Sequence, residues 1–115
     1  MKRTLDLIAS YLLLFMGVGH TVLTPQFYQH FELDALWFAG TGLALVFLGG
    51  LNLARVYSGK RPMVWAVLLA NLAWMAFNTL LLILIREPQA FLTVGLILIL
   101  CCFSILQLRD VTRLS

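Results

Sequence analysis

The chain has 115 residues, of which 62% are apolar and only 11% charged, with a formal charge of +3. A water-soluble domain of this size carries about a quarter charged residues to cover its surface, so the balance excludes an ordinary soluble fold and makes lipid the expected solvent. The basic residues lie scattered between apolar stretches rather than gathered on one face, which argues against nucleic acid as a partner.

Four apolar segments follow one another, at 5–23, 36–54, 63–85 and 91–108. A hydrocarbon core of about 30 Å needs roughly 20 helical residues at about 1.5 Å each, and all four fall in that window. Membrane strands, at about 10 residues, fit far worse. The expected fold is all-α: residues 1–115 as a single integral membrane domain, a four-transmembrane-helix bundle of up-down topology with both termini in the cytoplasm.

In chain order, Met1-Lys2-Arg3 could open a signal peptide, but the apolar stretch behind it is too long and no Ala-x-Ala-like site follows, so a retained signal anchor is expected. Residues 24–35 form the only loop with room for structure of its own. Its stretch TPQFYQHFE places Phe27, Tyr28 and Phe31 at helical spacing among Gln29, His30 and Glu32. A short helix lying in the outer interface would use these residues, and so would a lid over a ligand pocket. Asp34 is placed to cap the second helix. Trp37 and Phe38 then open that helix as interfacial aromatics, with Tyr57 and Trp65 as their counterparts at the other face.

Arg55-Val-Tyr-Ser-Gly-Lys-Arg61 is expected to be a tight basic hairpin, Gly59 suiting a left-handed helix cap and Pro62 a first helical turn. Arg86-Glu-Pro-Gln89 makes an even shorter connection. Lys2, Arg3, Arg55, Lys60, Arg61, Arg109 and Arg113 fall on one side and Arg86 alone on the other. That bias puts the termini and the middle hairpin inside by the positive-inside rule, and argues against dual topology.

Polar residues inside a membrane must find partners in the bundle or a watery cavity. Counting about 1.5 Å per residue, His20, Asn78 and Thr41 reach similar depths toward the outer face. A second layer nearer the cytoplasm holds Ser10, Asn52, Asn71 and Ser104. Asn71, Trp74, Met75 and Asn78 share one stripe of the third segment, which should face the bundle. Two readings fit the outer level: interhelical hydrogen bonding worth about 0.6–2 kcal/mol per pair, or the polar end of a ligand pocket formed by His20, Thr41, Trp74 and Asn78.

His20 reads as the only ionisable side chain deep in any segment, with Asp6 and Asp110 at the cytoplasmic ends. One histidine without a nearby carboxylate is neither a metal site nor a nucleophile–base pair, and joint metal binding with His30 in the loop is not expected. The adjacent Cys101 and Cys102 cannot bridge without a strained backbone and fit no zinc spacing, so they read as small hydrophobes. No haem-type histidine pair lies within the membrane. The second segment carries Gly40, Gly42, Ala44 and Gly49 as candidate packing positions, with Gly17 and Gly19 of the first segment able to meet them. Whether these faces pack within one chain or between chains stays open.

The run GVGHTVLTPQFY at Gly17 to Tyr28, followed by the glycine-rich FAGTGLALVFLGGLNL at Phe38 to Leu53, resembles the layout of the DoxX-like group of small four-helix membrane proteins. The resemblance covers roughly the first half of the chain, and the second half matches in hydropathy. It implies a four-helix bundle in a bacterial plasma membrane, in a group of which some members are associated with oxidoreductase systems or sulfur metabolism. No site residue is carried over from it. The expected activity is therefore non-enzymatic and without a cofactor: binding of a lipid or small apolar ligand within the bundle. The alternatives are an accessory subunit packing its glycine-rich helix on a larger membrane complex, an oligomeric transporter or channel, and a membrane oxidoreductase subunit.

Overall fold

The computed structural model describes residues 2–114. Four long helices, α1 (Lys2–Val22), α3 (Leu33–Ser58), α4 (Arg61–Leu84) and α5 (Pro88–Leu114), run antiparallel in sequence order, and a single turn, α2 (Thr24–Phe27), interrupts the first connection. All four long helices are long and apolar enough to cross a membrane. They are apolar all round, since only 22% to 33% of each apolar window is buried inside the bundle. In water such outward faces, with Phe15, Phe47, Leu69, Leu80, Ile83 and Leu98 among the exposed side chains, would be untenable, whereas lipid covers them at no cost. The chain is a multi-pass, all-α membrane protein.

The helix ends follow local chemistry. Gly59 takes the left-handed conformation (φ 63°) that L side chains avoid, and its N–H donates to the Arg55 carbonyl at 3.0 Å, closing α3. Only Gly59 and Lys60 separate α3 from α4, whose first turn contains Pro62. Pro88 opens α5 in the same way. Two expectations change here. The helices run beyond the apolar segments because polar residues with partners continue a helix as well as apolar ones, so Arg55, Tyr57 and Ser58 belong to α3 rather than to a hairpin. The cap of α3 is Glu32, with no side-chain hydrogen bond, and Asp34 instead lies in the first turn, where its charge faces the positive end of the helix dipole.

α1 packs along α3, and α4 along α5, while the two pairs meet over a smaller contact. Close approach of α1 and α3 depends on glycine. A Cβ on Gly17 would lie 2.6 Å from the Gly42 carbonyl oxygen and from the Val46 nitrogen, one on Gly42 would lie 2.7 Å from the Thr21 nitrogen, and one on Gly49 2.7 Å from the Leu14 nitrogen. Gly42 and Gly49 thus pack within the chain. Gly19 and Gly40 do not take part, since a Cβ on either would meet nothing within 4 Å, and Ala44 is half-buried on the side facing α4. Gly40 and Gly42 are two residues, about 200°, apart on the helix, so they cannot share a contact face.

The bundle is layered along its axis. At the end carrying Lys2, Arg3, Lys60, Arg61, Arg109 and Arg113, here the basic end, lies a buried polar network. An apolar layer of Leu13, Leu45, Leu48, Leu96, Ile97 and Leu100 follows. Beyond it, toward the end bearing α2 and the α4–α5 turn, here the loop end, α3 and α4 enclose a cavity.

Candidate functional site

Two groups of polar side chains sit inside the bundle, and they differ in how far their hydrogen-bonding capacity is met. The group near the basic end is complete. Arg55, fully buried, donates from Nη1 to Asp6 Oδ2 at 2.9 Å and from Nη2 to Asp6 Oδ1 at 2.6 Å, a two-pronged ion pair between α3 and α1. Nη1 also donates to Gln107 Oε1 of α5 at 2.7 Å, and Nε and Nη2 donate to Asn52 Oδ1 at 3.3 and 3.2 Å. Gln107 Nε2 donates to the Arg55 carbonyl at 3.1 Å. Asn52 and Asn71 exchange amide hydrogen bonds at 2.8 and 3.0 Å, which brings in α4. Buried Ser10 and Ser104 return their hydroxyls to the carbonyls of Asp6 and Leu100 in their own helices.

This network corrects the sequence reading of the charges. His20 is not the only ionisable group inside: Asp6 and Arg55 are more deeply buried than it is. Arg55 contributes no free positive charge at the surface, because Asp6 neutralises it. Asn52 and Arg55, three residues apart on the same face of α3, were the available signal for Arg55 being in the helix. The partner Asp6, 49 residues earlier, carried none.

The second group lines a cavity of about 750 Å³ toward the loop end, within the range of pockets that hold a small organic ligand. Its wall brings together His20 of α1, Thr41 of α3, and Trp74 and Asn78 of α4. Asn71 and Asn78 are buried and Trp74 and Met75 half-buried, so the stripe on α4 faces inward. Thr41 is satisfied by its own helix, its hydroxyl donating to the Trp37 carbonyl at 2.9 Å. The Trp74 Nε1–H and the Asn78 Nδ2 amide are different. Both nitrogens are buried and neither has a hydrogen-bond partner, although Asn78 is only 5% exposed. Both residues belong to the cavity wall.

Aromatic rings build the upper part of the wall. The His20 ring stacks on Phe38 with centroids 3.7 Å apart and planes 20° from parallel. Phe27 and Tyr28, at the end of α2, lie against the same Phe38 ring at 5.6 and 5.4 Å. Phe38 is therefore the hub that fixes α2 and His20 to α3 rather than an outward interfacial ring. Trp37 is 66% exposed and Phe31 85%, whereas Tyr28 is half-buried and faces the cavity. At the other end Tyr57, 61% exposed, lies under the Arg3 guanidinium at 5.7 Å.

Sequence reasoning missed the cavity's mouth. Asp34, Glu87 and Gln89, all exposed, line it, and buried Thr93 belongs to the same cavity wall. Glu87 accepts a hydrogen bond from Gln89 Nε2, and Thr93 donates to the Gln89 carbonyl at 2.8 Å. Asp34 and Glu87 read in sequence as a cap and a turn residue, and only the folding of α3 against the α4–α5 turn places them on one opening. Among the described residues, no group of three or more His, Cys, Asp or Glu side chains is arranged to hold a metal ion. Cys101 is buried in the apolar layer and Cys102 is exposed, both as free thiols. Comparison with known protein families, with curated proteins and with solved structures finds no match to this chain.

Proposed function

We propose that the protein holds a lipid or a small apolar or amphipathic molecule in the cavity between α3 and α4, acting as a binding protein rather than as an enzyme. The observation that carries this is that Trp74 and Asn78, whose buried Nε1–H and Nδ2–H₂ have no hydrogen-bond partner, both line a cavity of ligand size. A buried donor without a partner costs about 1–3 kcal/mol, and ligand oxygens accepting from these side chains after a small rotation would recover that cost and gain specificity. The apolar walls supplied by Leu45, Phe77, Leu80, Leu81 and Leu84 suit the body of such a molecule. The apolar layer beneath the cavity supports binding over passage, since a pore needs a continuous polar path.

The membrane is proposed to be a bacterial plasma membrane, with the basic end in the cytoplasm. Even with Arg55 neutralised, six cations flank that end against Arg86 at the other. Gly42 and Gly49, on which an accessory role in a larger complex would rest, are consumed by α1.

The test is the mass-spectrometric identification of small molecules extracted with the purified protein. His20→Ala and Asn78→Leu should each reduce the amount of one co-purifying species, and unchanged content in both variants would reject the site.

A further inference from the structure

The cavity wall is chemically asymmetric along the bundle axis, and the asymmetry selects a ligand class. Asp34, in the first turn of α3, and Glu87, in the α4–α5 turn, both line the mouth. Neither forms an ion pair among the described residues, where the one salt bridge is that of Arg55 with Asp6. Arg86, next to Glu87 in the chain, is exposed and not part of the wall. The remaining titratable groups in the wall are His20 and the Tyr28 phenol. Trp37 and Tyr28 belong to the same wall. Carboxylates beside aromatic rings at a water–lipid boundary attract an organic cation by charge and by cation–π interaction, and they repel a fatty-acid carboxylate.

Acidic side chains at a mouth would be no more than a solvated rim if the interior asked for nothing. Here the interior does ask. Asn78, 5% exposed and with its amide nitrogen unpartnered, lines the same cavity six residues or about 9 Å below the end of α4, and Trp74, also with an unpartnered nitrogen, stands about one turn deeper on the helix. The acceptor must therefore sit some way along the molecule from the cation, with an apolar body between.

We propose that the cavity takes an amphipathic cation: a protonated amine or quaternary ammonium held at Asp34 and Glu87, an apolar middle, and a carbonyl or ether oxygen accepting from Asn78 or Trp74. This rests on the cavity being the binding site, as proposed above, and names what it binds.

The test uses the full chain in neutral detergent micelles, with binding read by native mass spectrometry. Three probes are compared: hexyl 8-aminooctanoate, which carries an ammonium and an ester carbonyl separated by its carbon chain, hexyl octanoate, which has the ester alone, and tetradecylamine, which has the ammonium alone. The amino ester should bind at least tenfold more tightly than either of the others. The double variant Asp34→Asn, Glu87→Gln, altered only at exposed positions, should bring the amino ester down to the level of hexyl octanoate and leave hexyl octanoate itself unchanged. Equal binding of the two esters by the unaltered protein, or a preference that survives in the double variant, overturns the cationic mouth. If Asn78→Leu still weakens hexyl octanoate in that case, the cavity reading stands alone. Esters that bind the unaltered protein and both Asn78→Leu and Trp74→Phe equally would remove the cavity reading and the cation proposal together.

Discussion

Replacing Asp6 by asparagine keeps the shape of the side chain and removes one charge from the buried pair with Arg55. The side chain of Arg55 is 0% exposed and that of Asp6 10%, so solvent screens the pair little. Asn52 and Gln107 still accept from the guanidinium in the variant, but they bring no opposing charge. Breaking a buried pair by removing one partner costs about 3–5 kcal/mol, roughly two to four powers of ten in the folding equilibrium. Adding Arg55→Gln in the same chain removes the stranded charge and should restore much of the loss, giving a coupling energy of about 2–3 kcal/mol in the double-mutant cycle. Unfolding in mixed micelles of a mild detergent and dodecyl sulfate, followed by far-ultraviolet circular dichroism, measures all four species. An Asp6→Asn variant within about 1 kcal/mol of the parent, or effects that simply add, would refute the idea that this pair is shielded from water and lipid alike.

Gly42→Ala should destabilise the bundle by about 1–3 kcal/mol, because the added methyl strikes the α1 backbone at Thr21, whereas Gly40→Ala should be neutral or raise stability by up to about 1 kcal/mol through helix propensity; the same unfolding assay compares them. Asn71→Leu leaves Asn52 without its cross-helix amide partner and should cost about 1–2 kcal/mol. Trp74→Phe keeps an aromatic ring, deletes an unpartnered N–H and gives up the volume of the five-membered ring, so the two effects offset and stability should stay within about 1 kcal/mol of the parent while ligand retention falls. A fluorescent protein that matures only in the cytoplasm, fused behind the basic end of α5, should glow in intact cells, and a dark fusion of normal abundance would reverse the orientation.

The spans were legible because hydropathy alone reports the solvent a helix can bear, and 5–23, 36–54, 63–85 and 91–108 each lie almost wholly within an observed helix. The ends were less so. Arginine in a hydropathy profile marks a boundary, and Arg55 passed for one because its neutralising carboxylate lies on another helix. The polar layer of Asn52 and Asn71 was readable from depth counting, since both are amides with few places to go in an apolar bundle. Depth counting also placed His20, Thr41 and Asn78 at one level, the stripe on the third segment added Trp74, and all four line one cavity. It could not supply Asp34 and Glu87, which belong to helix ends whose mutual approach is set by tertiary packing. The glycine pattern was half readable: Gly42 and Gly49, seven residues apart, lie on one face by helical geometry, while Gly40 points away.

The Arg55 network joins α1, α3, α4 and α5 at one end of a rod 53 Å long. Among the described residues no comparable hydrogen-bonded network crosses between the two helix pairs at the opposite end, where the cavity lies. A body fastened at one end is expected to open like tongs, with its pivot among the basic residues and its tips at α2 and the α4–α5 turn. A tilt of about 5° over a lever of roughly 30 Å displaces a tip by about 2.6 Å, enough to admit or grip an alkyl chain. Hydrogen exchange should accordingly grade along each helix, slowest around Asn52 and Asn71 and fastest near Leu33, Leu84 and Gln89.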